Sequence, residues 1–198
     1  LTDKDITMLP DKACSVILSS TMRPKILLFR HPHAGVQLVK GTIEKGETPA
    51  RAALRELSEE SGISSATIKD DLGCWKSGHH SQIWSFQLLQ MAGPLPEQWL
   101  HQTTDDHGHI FEFFWASLDY LPYDDCHPVF RRALAFLCEV LKVRGHWVDG
   151  SRDSTTERLL RLQPADPTGV GENTVAGDGL RPIANAQELT IRFSTVSW

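Results

Sequence analysis

The chain has 198 residues, enough for one domain with its own core plus a tail. A hydrophobic content of 40% and a charged content of 23% are those of an ordinary soluble globular protein. The formal net charge of −5 argues against a broad basic surface for nucleic acid, so no DNA partner is expected.

The opening "LTDKDITMLPDKAC" has no apolar run of signal-peptide length, and no stretch approaches the roughly 20 apolar residues of a membrane span. A soluble cytoplasmic protein without a membrane partner is expected. Cys14, Cys74, Cys126 and Cys138 are far apart and form no CxxC pair. They read as reduced, mostly buried thiols rather than a zinc ribbon.

In chain order, "CSVILS" (14–19) and "KILLFR" (25–30) flank a short polar stretch and predict a strand hairpin. "VQLVK" (36–40) predicts a third strand, running into Gly41 and a polar loop. "TPARAALRELSEESG" (48–62) predicts a helix with Thr48 as N-cap, Pro49 in the first turn and Gly62 at the C-terminal cap. Ala50, Leu54 and Leu57 are expected on its core face. "QIWSFQLLQ" (82–90) and "IFEFFWA" (110–116) predict aromatic-rich strands, with a long loop over 93–109 between them. "HPVFRRALAFLCEVLKV" (127–143) predicts an amphipathic helix. Beyond about Gly150, glycine, proline and small polar residues dominate. The expected division is one domain over 1–148 and a low-complexity appendage over 149–198, disordered, loosely docked or of artificial origin.

The first helix poses the chemical question. Glu56, Glu59 and Glu60 stand at i, i+3 and i+4 on one face, where like charges repel. A hard divalent cation, Mg²⁺ or Mn²⁺, would hold such carboxylates ionised and close, and suits phosphoryl chemistry. The bland alternative is a solvated acidic helix face.

The wider spacing decides between them. "GTIEKGETPARAALRELSEESGI" resembles the Nudix box, G-x5-E-x7-R-E-U-x-E-E-x-G-U with U aliphatic. Gly41, Glu47, Arg55, Glu56, Leu57, Glu59, Glu60, Gly62 and Ile63 all match. A full match has a chance probability on the order of one in ten million in a chain this long. The resemblance implies an α/β fold, a Nudix-type α/β/α sandwich around a mixed β-sheet. It implies hydrolysis of a nucleoside diphosphate linked to another moiety, by water attack on phosphorus with divalent metal. Glu56, Glu59 and Glu60 would be ligands of Mg²⁺ or Mn²⁺, with the Gly41 carbonyl completing the shell. Arg55 would orient the glutamates, Glu47 would salt-bridge to Arg55, and Leu57 and Gly62 would be structural. Val39 stands where many relatives have proline. Many relatives are dimers, so a homodimer is the default, with a nucleotide-type small molecule as substrate.

The general base varies in the family. Glu59 and Glu60 are candidates within the box. Glu112, a lone carboxylate in an aromatic strand, is the best candidate outside it. Alternation groups it with Ile110 and Phe114, which leaves its face open. Asp105, Asp106 and His109 are weaker alternatives. The pairs His31–His33, His79–His80 and His107–His109 read first as exposed loop histidines. His79–His80, just before a strand, is the pair best placed to touch a substrate phosphate. Trp75, Trp84 and Trp99 are expected to pack rather than to stack on a base.

Nothing in the sequence selects a leaving group, though dinucleoside polyphosphates or nucleotide sugars are favoured over a simple triphosphate. A non-catalytic nucleotide sensor is the competing reading. An isopentenyl diphosphate isomerase would need a catalytic cysteine motif that is absent near Cys74. Messenger-RNA decapping would favour a more basic surface.

Overall fold

The computed structural model describes residues 9–103 and 108–148. Among these described residues, eight strands form two four-stranded sheets: β1 (Lys12–Ile17), β2 (Lys25–His31), β3 (Gly35–Gln37), β4 (Lys40–Thr42), β5 (Ala66–Lys76), β6 (Ile83–Met91), β7 (Gln98–Gln102) and β8 (Ile110–Ser117). Helix α1 spans Pro49–Ser61 and α2 spans Pro128–Val143. One sheet runs β4-β1-β6-β5, with β1 and β6 parallel and the other pairs antiparallel. The second runs β3-β2-β8-β7 and is wholly antiparallel. The expected mixed α/β architecture is present, with the strands divided between two sheets.

The expected hairpin over 14–30 does not form. β1 and β2 lie in different sheets, and their backbones are joined by the isolated bridge Leu18↔Ile26 rather than by a ladder. Two apolar runs around a polar turn look alike whether they pair with each other or each finds a better partner elsewhere. The single strand expected over 36–40 is two short strands: β3 joins one sheet, and β4 joins the other after Leu38 and Val39. The loop expected over 93–109 contains β7.

The core divides along the alternation of the strands. Cys14, Val16, Ile26, Leu28, Trp84 and Phe86 pack with α2 residues such as Phe130 and Leu134. Ile17, Leu27, Phe29, Phe111 and Phe113 pack with Leu57 of α1. None of the four cysteines is in a disulfide; Cys14, Cys126 and Cys138 are buried and Cys74 is partly so. Burial pushes the Cys126 thiol up to about 11. No helix among the described residues is long and apolar enough to cross a membrane.

Helix α1 starts and stops where local chemistry dictates. Thr48 accepts a hydrogen bond from the Arg51 amide, Pro49 opens the first turn, and Gly62 adopts φ +76° at the C-terminal end. Its buried face is Ala52, Ala53, Glu56, Leu57 and Ser61; Ala50 and Leu54 are only half-buried. The core stripe is thus rotated from the expected one. Small residues let the helix lie close to β1, where the Ser15 hydroxyl donates to the Ala53 carbonyl at 2.7 Å.

Candidate active site

The rotation brings a charged residue inward. Glu56 is 7% exposed, more buried than Leu54 on the same helix. An ionised carboxylate there must be compensated. Arg55 does this and binds the surrounding acids into one network. Its Nε and Nη2 donate to the two oxygens of Glu47 at 3.1 and 3.0 Å. Nη1 donates to Glu56 Oε1 and to Glu59 Oε2, each at 2.8 Å. Nη2 also donates to the Thr42 carbonyl at 2.9 Å. Hydrogen bonding to Glu47 is the first cause of an Arg55 guanidinium held above its usual range. The same bonds hold the Glu47 carboxyl below its own.

The loop before the helix supplies the opposite wall. A Cβ on Gly41 would stand 1.6 Å from the carboxyl carbon of Glu56, so the backbone there touches the carboxylate directly. The Lys40 amide donates to Glu60 Oε2 at 3.3 Å. Lys12 Nζ donates to Thr42 Oγ1 at 2.5 Å. Burial, and next the charge of Lys40, draw the Lys12 ammonium below its usual value, while Glu56 opposes them.

Gly41, Glu47, Arg55, Glu56, Glu59 and Glu60 therefore come together. Carboxylates backed by a bare backbone are the hard-oxygen donors that suit Mg²⁺ or Mn²⁺. By donor chemistry the residues fit such an ion. Among the described residues, however, no three His, Cys, Asp or Glu side chains already converge on one point. Arg55 Nη1 spans Glu56 and Glu59 instead.

Glu112 is not brought to this cluster. It pairs across β8–β2 with Arg30, on the same face as Leu28 and Phe114. Helix α1 packs on the other face, through Phe111 and Phe113. Glu112 accepts a hydrogen bond from Gln98 and lies 3.7 Å from Arg30 Nε. Asp105, Asp106 and His107 fall outside the described residues.

Two histidine pairs are more than scattered loop residues. His31, His33 and His109 gather with ring centroids 5.1–6.1 Å apart. His79 and His80 stand 4.1 Å apart, with His127 5.9 Å from His79. The three tryptophans pack as expected: Trp84 is 1% exposed, Trp75 meets it edge-on, and Trp99 stacks on Phe113 at 4.8 Å.

Sequence reasoning missed β7 as a clamp on the end of α1. Trp99 Nε1 donates to the Ser61 carbonyl at 3.2 Å, and His101 Nε2 lies 3.2 Å from the Glu59 carbonyl. The alternation of "QWLHQ" was the available signal. A cavity of about 760 Å³ lies elsewhere, at the far end of the β1–β6 pair, lined by residues such as Leu18, Lys25, Trp115 and Trp147. It contains none of the box residues.

Comparison with known proteins places the fold in a family. A family model described as NUDIX domain matches residues 8–136. The RNA pyrophosphohydrolase of Bartonella quintana (strain Toulouse) is 28% identical over 146 residues, covering 61% of this chain and 84% of that protein. The NAD-capped RNA hydrolase NudC of Haemophilus influenzae (strain PittGG) is 31% identical over 111 residues, covering 53% of this chain but only 39% of its own length. Among solved structures, an ADP-ribose pyrophosphatase from Streptococcus suis 89-1591 superposes with a TM-score of 0.51 at 17% identity. That match covers 70% of this chain and 95% of that one. Identity at this level speaks for the fold alone.

Proposed function

The chain belongs to the Nudix hydrolase family, and from that premise we propose that it hydrolyses a phosphoanhydride bond by water attack on phosphorus. The substrate in this reading is a nucleoside diphosphate linked to another moiety. The observation that carries the reading is the acidic network on α1: Arg55 binds Glu56 and Glu59, Glu56 lies against Gly41, and Glu60 accepts from the Lys40 amide.

Glu56 and Glu60, with the Gly41 carbonyl and Glu59, are the residues that would hold Mg²⁺ or Mn²⁺. Such an ion, when bound, neutralises phosphate oxygens and lowers the pKa of water. Arg55 positions the glutamates through its fixed fork of donors. In this reading Glu59, whose side chain is 36% exposed, or Glu60 takes a proton from water.

The test is turnover. A panel of nucleotide sugars, dinucleoside polyphosphates and triphosphates is incubated with Mg²⁺ or Mn²⁺, and products are separated by chromatography. The names of two relatives justify adding 5′-triphosphorylated and NAD-capped oligonucleotides. Glu59→Gln and Glu60→Gln are expected to lose several orders of magnitude in rate while keeping the fold. Activity should rise from pH 6 to 9 as the attacking water deprotonates more readily. Inactivity across the panel with tight nucleotide binding would instead favour a sensor.

A further inference from the structure

Lys40 looks two ways. Its backbone amide binds Glu60, while its ammonium sits 5.2 Å above the Trp84 ring. The Ser77–Gln82 turn stands beside it. Ser77, 1% exposed, closes this turn by donating its hydroxyl to the His79 and Gln82 carbonyls at 3.1 and 2.9 Å. The His79 amide donates back to the Ser77 hydroxyl at 3.1 Å. Arg132 on α2 donates to the Ser77 carbonyl at 2.9 Å. The turn forces His80 and Ser81 into left-handed backbone, at φ +49° and +57°. Strained non-glycine residues held by such a network keep their side chains in fixed places.

The histidines so placed are donors. His127, the N-cap of α2, accepts the Val129 amide on Nδ1 at 3.3 Å. A neutral ring then carries its proton on Nε2. His79 is half-buried, His80 and His127 are exposed, and Lys40 and Arg132 lie close enough for their charges to act on the His79 ring. The field there is positive: burial first, then His80, His127, Lys40 and Arg132, draw the His79 ring below its ordinary range.

We propose that Lys40, His79, His80 and His127 form a wall that binds the phosphate chain of the substrate and lays it against the Glu60 side of the glutamate cluster. This deepens, and rests on, the hydrolase reading above. An oligophosphate offers the dense negative charge and acceptor oxygens that this group of donors matches. The residues come from β4, the turn before β6 and the start of α2, so three separate elements converge on one ligand.

The experiment is calorimetric titration with inorganic tripolyphosphate, without added divalent cation. The variants are His79→Ala/His80→Ala, Lys40→Gln and, as a control at the other histidine group, His31→Ala/His33→Ala. The wild type should bind. The His79/His80 variant should weaken binding by about tenfold or more, and the control should stay within about twofold. Lys40→Gln keeps the stem over Trp84 but removes the charge, and it supplies the reading if circular dichroism shows the double variant unfolded. Failure of wild-type binding, or wild-type affinity in folded His79/His80 and Lys40 variants, overturns the wall. Turnover assays separate the two ideas. Tripolyphosphate binding that is lost in the variants, without turnover of any substrate, sinks the hydrolase reading and keeps the wall. Turnover with unchanged KM in both variants does the reverse.

Discussion

Glu56 fills the space in front of Gly41 that any side chain at that position would need. A Cβ there would lie 1.6–1.9 Å from the carboxyl atoms of Glu56. Gly41→Ala must therefore drive the glutamate out of its buried seat. Overpacking of this kind costs about 1–3 kcal/mol. The same displacement spoils the carboxylate beside the loop, so turnover should fall by more than about tenfold. Urea melts and initial rates check both effects; wild-type rates in the alanine variant would show that Glu56 has no fixed place in the chemistry.

Arg55 makes a second, sharper case. Every nitrogen of its guanidinium donates, to three carboxylates and one carbonyl. Removing one partner of a fully buried pair costs about 3–5 kcal/mol. The Arg55 side chain is 27% exposed. We therefore expect about 2–3 kcal/mol for Arg55→Ala, with Glu56 left undercompensated. Arg55→Lys should recover only part of this, because a point charge cannot bind Glu47 bidentately. Equal stability of the lysine variant and the wild type would remove the fork geometry from the account.

What the sequence disclosed follows burial. The central strands β1, β2 and β6 are buried along most of their length and read as apolar runs, while β8 alternates buried aromatics with half-buried or exposed residues. The edges did not read as well. β5, "ATIKDDLGCWK", has exposed polar positions and register shifts between Ile68 and Asp70 and between Asp71 and Gly73, so its alternation breaks. β7 hides in a polar loop, and β3 and β4 look like one strand because Leu38 and Val39 are buried between sheets. Helix α1 was legible because Thr48, Pro49 and Gly62 are local signals. The glutamate cluster was legible for the same reason: one helix and one adjoining loop carry it. The Ser77–Gln82 turn and the β7 clamp depend on tertiary partners, Arg132 and Ser61; the alternation of "QWLHQ" could have shown the strand but not its partner.

Acid should weaken the fold through two carboxylates. Arg55 holds the Glu47 carboxyl below its ordinary value of 4.5. His146 first, and Arg144 next, hold Asp70 below 3.8. A depressed folded-state pKa means stability that is fully present above the unfolded value and lost as pH falls through the folded one. The loss belongs below pH 4.5 and not near neutrality. Glu47→Gln should be less stable than the wild type at pH 7, and the gap should close as pH drops toward about 3. Urea melts over that range test it; a gap independent of pH would mean that the charge of Glu47 contributes nothing.

The turn before β6 offers a stabilising change. Ser81 sits at φ +57°, where a residue with a Cβ is strained by about 1–2 kcal/mol. Glycine adopts that backbone freely but loses about 0.5–1 kcal/mol more conformational entropy on folding. Ser81→Gly should gain about 0.5–1 kcal/mol, raising Tm by about 2–4 °C. Differential scanning calorimetry decides the sign, and a lowered Tm would mean that the serine side chain contributes more than its strain costs.

Glu112 provides the last prediction, because sequence and structure point in opposite directions. As a carboxylate among aromatics it looked like a proton acceptor. In the fold it stands over Leu28 and Phe114, on the α2 side of its sheet, while Leu57 of α1 packs on the opposite side. Its partners, Arg30 and Gln98, already account for its charge. The Arg30 pair is 46% and 37% exposed, which makes it worth about 0–1 kcal/mol. Glutamine at this position keeps an oxygen to accept from Gln98. Glu112→Gln should thus leave kcat/KM within about twofold of wild type, whereas Glu59→Gln or Glu60→Gln abolishes turnover. A loss in Glu112→Gln as deep as in the helix variants would return the general base to β8, and would require that strand to present its other face to the substrate.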